Sequence, residues 1–117
     1  MKAILEDLTR KIGARGCLVV TRDGITIESV AADDLQEDRI AALTQRTVDG
    51  MRRAMDEVGL PGFERMILTA DCGRIVLFDV SIAYLVVVTQ LGVAVEQVML
   101  EIEPAARRIE RAGRIAV

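Results

Sequence analysis

Nucleophiles, carboxylates and metal ligands are the residues through which a chain this small could do chemistry, and here they are scattered without a recognisable spacing. There is no histidine, so the side chain used most often as general acid or base, and as metal ligand, is missing. The cysteines, Cys17 and Cys72, form no CxxC pair and have no His partners, which argues against a zinc site. Cys17 lies in the apolar run GCLVVT and reads as a buried, inert thiol. Cys72, in the turn DCG, has no base near it in sequence. Asp79 is either a turn residue or half of a carboxylate pair whose other half shows no recognisable spacing. Asp23-Gly24 could open a phosphate loop, but such a loop needs more glycines, a lysine and a following helix. A strand-like run follows instead, so Asp-Gly reads as a hairpin turn with positive φ. No catalytic, cofactor-binding or metal-binding set emerges.

The totals narrow the classes further. At 117 residues the chain fits one domain spanning 1–117, long enough to bury roughly two thirds of its unfolded surface. A formal charge of −3, spread along the sequence, provides no footprint for nucleic acid or anionic lipid. Phe63, Phe78 and Tyr84 are the only aromatics, too few for a base-stacking platform. The longest apolar stretch, IVLFDVSIAYLVVV, is shorter than the roughly 20 residues of a membrane helix, and Asp79 interrupts it. The opening MKAILEDLTRKIG is charged throughout and does not read as a signal peptide, so a reduced, cytoplasmic setting is expected.

Periodicity orders the elements. Ile4, Leu5, Leu8 and Ile12 have helical spacing, and Gly13 closes the segment. GCLVVT is apolar at successive positions, as in a strand covered on both faces, whereas ITIES alternates, as in a strand near a sheet edge with one wet face. A long helix is expected over about residues 35–58, with Asp33 or Asp34 as N-cap and GLPG as its end. Its apolar stripe is Ile40, Leu43, Thr47, Met51, Ala54 and Val58, widened by Ala41, Val48 and Met55. FERMILTA, RIVLFDV and AYLVVVTQ follow as strands, the last one central. The final helix is expected from about Leu91, with Leu91, Val95, Val98, Ile102, Ala106 and Ile109 on one face and Pro104 kinking or breaking it. Arg107, Arg108, Arg111 and Arg114 near its end are either a basic patch or favourable charges at a helix C-terminus. The result is a three-layer α/β/α sandwich of element order α-β-β-α-β-β-β-α.

Such a sandwich has a covering problem. Five strands are roughly 20–24 Å wide at about 4.8 Å each, and one helix is only about 10 Å across. With the terminal helices on one face, the 35–58 helix is alone on the other, and part of that face stays exposed and apolar. Met51 and Met55 pack adaptably. Gly50, mid-helix, either lets another backbone approach or is a tolerated surface glycine. Pairing of two such helices about a two-fold axis is the expected remedy, so a homodimer is anticipated.

In its order and spacing of local words the chain resembles the Roadblock/dynein light chain family. Those words are GARGCLVVTRDGITIES, the long helix ending in GLPG, MILTADCGRIVLF, AYLVVVTQ and QLGVAVEQV. The resemblance implies an antiparallel sheet of strand order 2-1-5-4-3. It also implies a dimer in which the second helices pair and the third strands join. The interface would then hold Ile40, Leu43, Thr47, Gly50, Met51, Ala54, Met55, Met66 and Leu68. It implies a non-catalytic module that binds a Ras-like small GTPase and alters its nucleotide cycle, with Arg46, Arg52 and Arg53 as possible contacts. A scaffold or light-chain-type subunit of a larger assembly is the alternative.

Overall fold

The computed structural model describes residues 1–116, with side chains through residue 113; Arg114 lies outside the described side chains. The elements are α1 (Lys2–Ile12), β1 (Gly16–Thr21), β2 (Thr26–Ala31), α2 (Glu37–Glu57), β3 (Arg65–Ala70), β4 (Gly73–Asp79), β5 (Ala83–Thr89) and α3 (Val95–Ala116). The strands form one antiparallel sheet ordered β2-β1-β5-β4-β3. The two run-like strands, β1 and β5, are adjacent and central, because a strand apolar at every position needs cover on both faces.

Each face of the sheet carries its own core. On one, Leu5, Leu8 and Ile12 of α1 and Val98, Ile102, Ala106 and Ile109 of α3 close over Cys17, Val19, Val76, Phe78, Leu85 and Val87. On the other, α2 contributes only Ala41 and Val48 to the buried cluster around Leu18, Val20, Leu77, Tyr84 and Val86. Three helices are thus divided two to one.

Four local expectations need correction. The first hairpin is a three-residue loop, Arg22-Asp23-Gly24, in which Gly24 alone has positive φ (85°), because Thr21 N–H closes on the Ile25 carbonyl. Neither Asp33 nor Asp34 caps α2. A turn in which Leu35 N–H donates to Ala32 holds both ahead of the helix, Asp34 pairs with Arg15 at 2.9 Å, and Gln36 takes the cap position without a side-chain bond. The last helix begins at Val95, after a loop that includes Leu91, and runs through Pro104 without interruption. Pro104 and Leu100 are both on the solvent side, so water can reach the carbonyl that Pro104 cannot satisfy. Finally, the expected alternation of Ile25 and Ile27 does not hold: a register shift opposite Val19 and Val20 breaks it, Ile25 precedes β2, and Ile25 is 63 % and Ile27 48 % exposed.

The two thiols differ as their settings require. Burial pushes the Cys17 thiol up to about 11 from 9.0, while Cys72 lies exposed in the β3–β4 turn. One thiol per chain should therefore react with a maleimide under native conditions, and the second only in denaturant; two fast native equivalents would contradict this burial. A thiol that holds its proton more tightly when folded stabilises the fold fully below pH 9, and that contribution fades as pH rises toward 11. Cys17→Ala should remove that alkaline component of the stability profile.

Candidate functional site

Two constellations stand out on the α2 side of the sheet. The first is apolar. α2 packs on β1 and β2, away from β4 and β3. At 100° per residue its apolar sector is wider than the sheet contact needs. Ala41, Thr44 and Val48 face down and are buried, while Ile40, Thr47 and Met55 are half-buried on the flank. Leu43, Met51, Ala54 and Val58 continue that flank into solvent. Below it, Ile75 and Met66 are half-buried and Leu68 is exposed, leaving a trough with α2 as wall and β4–β3 as floor. Gly50 is exposed, with open space where a Cβ would stand.

The trough ends at an open strand edge. Asp79 N–H donates to the Glu64 carbonyl, so residues 64, 66 and 68 bond inward to β4. Arg65, Ile67 and Thr69 consequently turn their N–H and C=O groups outward. β2, the other edge, is guarded. Ala32 N–H bonds inward to Arg15, which turns the Ser29 carbonyl outward, and Lys2 Nζ caps it at 2.8 Å. A register irregularity opposite Val19 and Val20 also breaks the regularity of β2. A lysine and a bulge are standard protection of an edge strand against pairing; β3 has neither.

The second constellation is polar and aromatic. Asp79 accepts from Arg22 Nη2 at 3.3 Å, from Arg52 Nη2 at 3.4 Å and from the Ser81 amide at 2.7 Å. Arg22 also donates to the Tyr84 hydroxyl and, at 2.6 Å, to the Ser81 carbonyl. Arg52 lies over Phe63 and Tyr84, whose rings stack 6.4 Å apart. Burial raises the Tyr84 pKa, and the two nearby guanidiniums oppose that rise. The cluster ties the first hairpin, the end of β4 and the C-terminal half of α2 to one carboxylate. Arg22, Phe63 and Tyr84 give no sign of this in sequence, since no fixed spacing links them; Asp79 ends strand β4 ahead of the turn and is bound to arginines, with no carboxylate paired to it among the described residues. Arg52 is thereby engaged within its own chain, whereas Arg46 and Arg53 are exposed on the outer side of α2.

Other chemistry finds no seat. Among the described residues no group of His, Cys, Asp and Glu could hold a metal ion, and no helix is long and apolar enough to cross a membrane. A groove of about 310 Å³ runs between α1 and α3, lined by Ile12, Val93, Val98, Lys11, Gln97 and Glu101 without convergent buried polar groups. Removing the central carboxylate tests the cluster. Asp79→Ala takes away the acceptor shared by Arg22, Arg52 and the Ser81 amide and should cost about 1 kcal/mol in urea unfolding, since both guanidiniums are partly solvated, with Asp79→Asn less damaging because it keeps the bond to Ser81. A midpoint unchanged in Asp79→Ala would show that the cluster is decorative.

Known proteins share this architecture. The uncharacterized protein MJ0714 of Methanocaldococcus jannaschii is 26 % identical over 107 residues, 92 % of this chain and 91 % of that protein. MglB of Myxococcus xanthus superposes with a TM-score of 0.90 at 20 % identity, over 97 % of this chain and 94 % of that one. The gliding protein MglB of Thermus thermophilus gives 0.84 at 20 % identity, over 93 % and 84 %. A family model, the Roadblock/LC7 domain, matches residues 2–89. The chain belongs to the Roadblock/LC7 domain family.

Proposed function

We propose that this protein is a non-catalytic homodimeric module that binds a Ras-like small GTPase and modulates its nucleotide cycle. The observation that carries the dimer is the apolar trough ending at the open β3 edge. A two-fold axis through Ile67 engages the most outward main-chain groups: Ile67 pairs with its own copy, and Arg65 pairs with Thr69 of the second molecule. In that register Met66 meets the second molecule's Leu68 on the trough side, apolar against apolar. Registers centred on Arg65 oppose two like charges and use fewer bonds. The second α2 then lies in the trough, against Met51, Ala54 and Leu43, with Gly50 permitting close approach.

The GTPase reading is supported by the family membership and by the surface that such a dimer offers. Two α2 helices side by side present Arg46 and Arg53 outward, free of carboxylate partners among the described residues. An arginine brought to a GTPase either stabilises the charge of the transition state or orders the switch loops. Arg52, the third possible contact, is ion-paired to Asp79 within its own chain. The non-regulatory alternative is a scaffold subunit using the same dimer.

Light scattering should give twice the chain mass for the wild type and the chain mass for Leu68→Glu and Met51→Glu, with circular dichroism unchanged; a wild-type monomer would refute the dimer. Single-turnover GTP hydrolysis by the Ras-like GTPases of the source genome should change rate when the dimer is added. If Arg46 or Arg53 enters the transition state, its replacement by Ala removes about 10³-fold or more of the stimulation. Absence of any complex with those GTPases would favour the scaffold.

A further inference from the structure

Main-chain bonds at a sheet edge do not distinguish one extended strand from another, so whatever makes β3 accept its own copy must lie in side chains. On the trough face these are Met66 and Leu68, which suit any apolar neighbour. The opposite face is different. Arg65 pairs with Phe78 and Ile67 with Val76, both members of the α1–α3 core. Arg65, Ile67 and Thr69 therefore lie on that side of the sheet, yet all three are exposed. Arg65 stands at one end of the strand, and Asp71 opens the turn at the other.

Arg65 and Asp71 are both exposed, and neither has a hydrogen bond or ion pair among the described residues. Their charged neighbours are engaged elsewhere. Glu64 takes Arg107 at 2.9 Å. Arg74, the other cation on this face of the hairpin, donates from Nε to Thr69 Oγ1 at 3.2 Å and from Nη1 to the Val93 carbonyl at 3.0 Å, toward the start of α3. An unpaired cation and an unpaired anion at opposite ends of one edge strand complement each other across a two-fold axis, because the axis reverses the strand. With that axis through Ile67, Arg65 stands opposite Thr69 of the second molecule. Asp71 of that molecule is then the diagonal neighbour, about 7–8 Å away and within reach of an arginine side chain. Symmetry makes the contact twice.

We infer that Arg65 and Asp71 are the self-recognition pair of the β3 edge: the Arg65 guanidinium of each molecule bonds the Asp71 carboxylate of the other, on the face of the sheet away from the trough. This contact rests on the β3 pairing proposed above and adds the choice of partner to it. A second copy is favoured over a strand of another protein because a reversed copy brings the opposite charge to both ends at once. A strand with like charges at those ends meets repulsion instead. Exposed ion pairs are individually weak, so these two select the partner, while the apolar trough and the main-chain bonds supply most of the affinity.

The test is a dilution series of the purified chain by sedimentation velocity, at about 10 mM and about 1 M salt, where screening lengths are roughly 30 and 3 Å. Arg65→Glu and Asp71→Arg each turn two attractions into two repulsions, and each should weaken the low-salt dimer by about ten-fold or more. An equimolar mixture of the two variants should recover the dimer, since one contact of the mixed pair then has both charges reversed and the other is wild type. The double variant Arg65→Glu/Asp71→Arg should recover it alone. At the higher salt all of these should approach the wild type. Both positions are exposed, and circular dichroism checks each fold. Single variants that dimerise as tightly as the wild type would overturn the inference and leave the dimer standing. So would a mixture or a double variant no tighter than the single ones. A wild type that stays monomeric at every concentration would overturn both. No GTPase enters the measurement.

Discussion

One covering constraint organises this molecule: a five-stranded sheet with two apolar faces and only three helices. α1 and α3 seal one face, burying Leu5, Ile102 and Ile109 completely. The other has α2 alone, seated over β1 and β2. A single helix cannot span the remaining strands, so its flank and the inner residues of β4 and β3 are left apolar and open. The central strands reflect the same arithmetic: β1 and β5 are buried along nearly their whole length because they lie beneath cover on both sides.

What keeps α2 on its half of the sheet is partly electrostatic. Its downward contacts are small, Ala41, Thr44 and Val48, and would allow it to rock. Asp79 gathers Arg52 from the helix and Arg22 from the first hairpin, over the Phe63–Tyr84 stack. The bonds are partly exposed, and each alone is modest; their effect comes from sharing one acceptor. The cluster therefore sets the wall of the trough, while the floor is set by β-sheet register.

Much of this was legible in the sequence, for physical reasons. Unbroken apolar runs marked β1 and β5 as central, and the wide stripe from Ile40 to Val58 marked a helix with more apolar surface than one sheet contact consumes. The rest depended on distance and local detail. Ile25 and Ile27 read in sequence as one face of a half-buried strand, yet a register shift in the β1–β2 pair breaks that alternation and leaves both exposed. Pro104 sits where solvent can satisfy the helix it interrupts, which composition cannot reveal. The Arg22–Asp79–Arg52 cluster joins residues far apart in the chain, with no fixed spacing to announce it.

Amide hydrogen exchange along β3 reaches the central claim most directly, because the outward amides have no partner within one molecule. The account predicts that Arg65, Ile67 and Thr69 are protected to the same order as the inward-bonded Met66 and Leu68, and that dilution lowers their protection. Fast exchange at the outward positions beside slow exchange at the inward ones, at every concentration, would mean that β3 remains an open edge and that no second copy covers the trough.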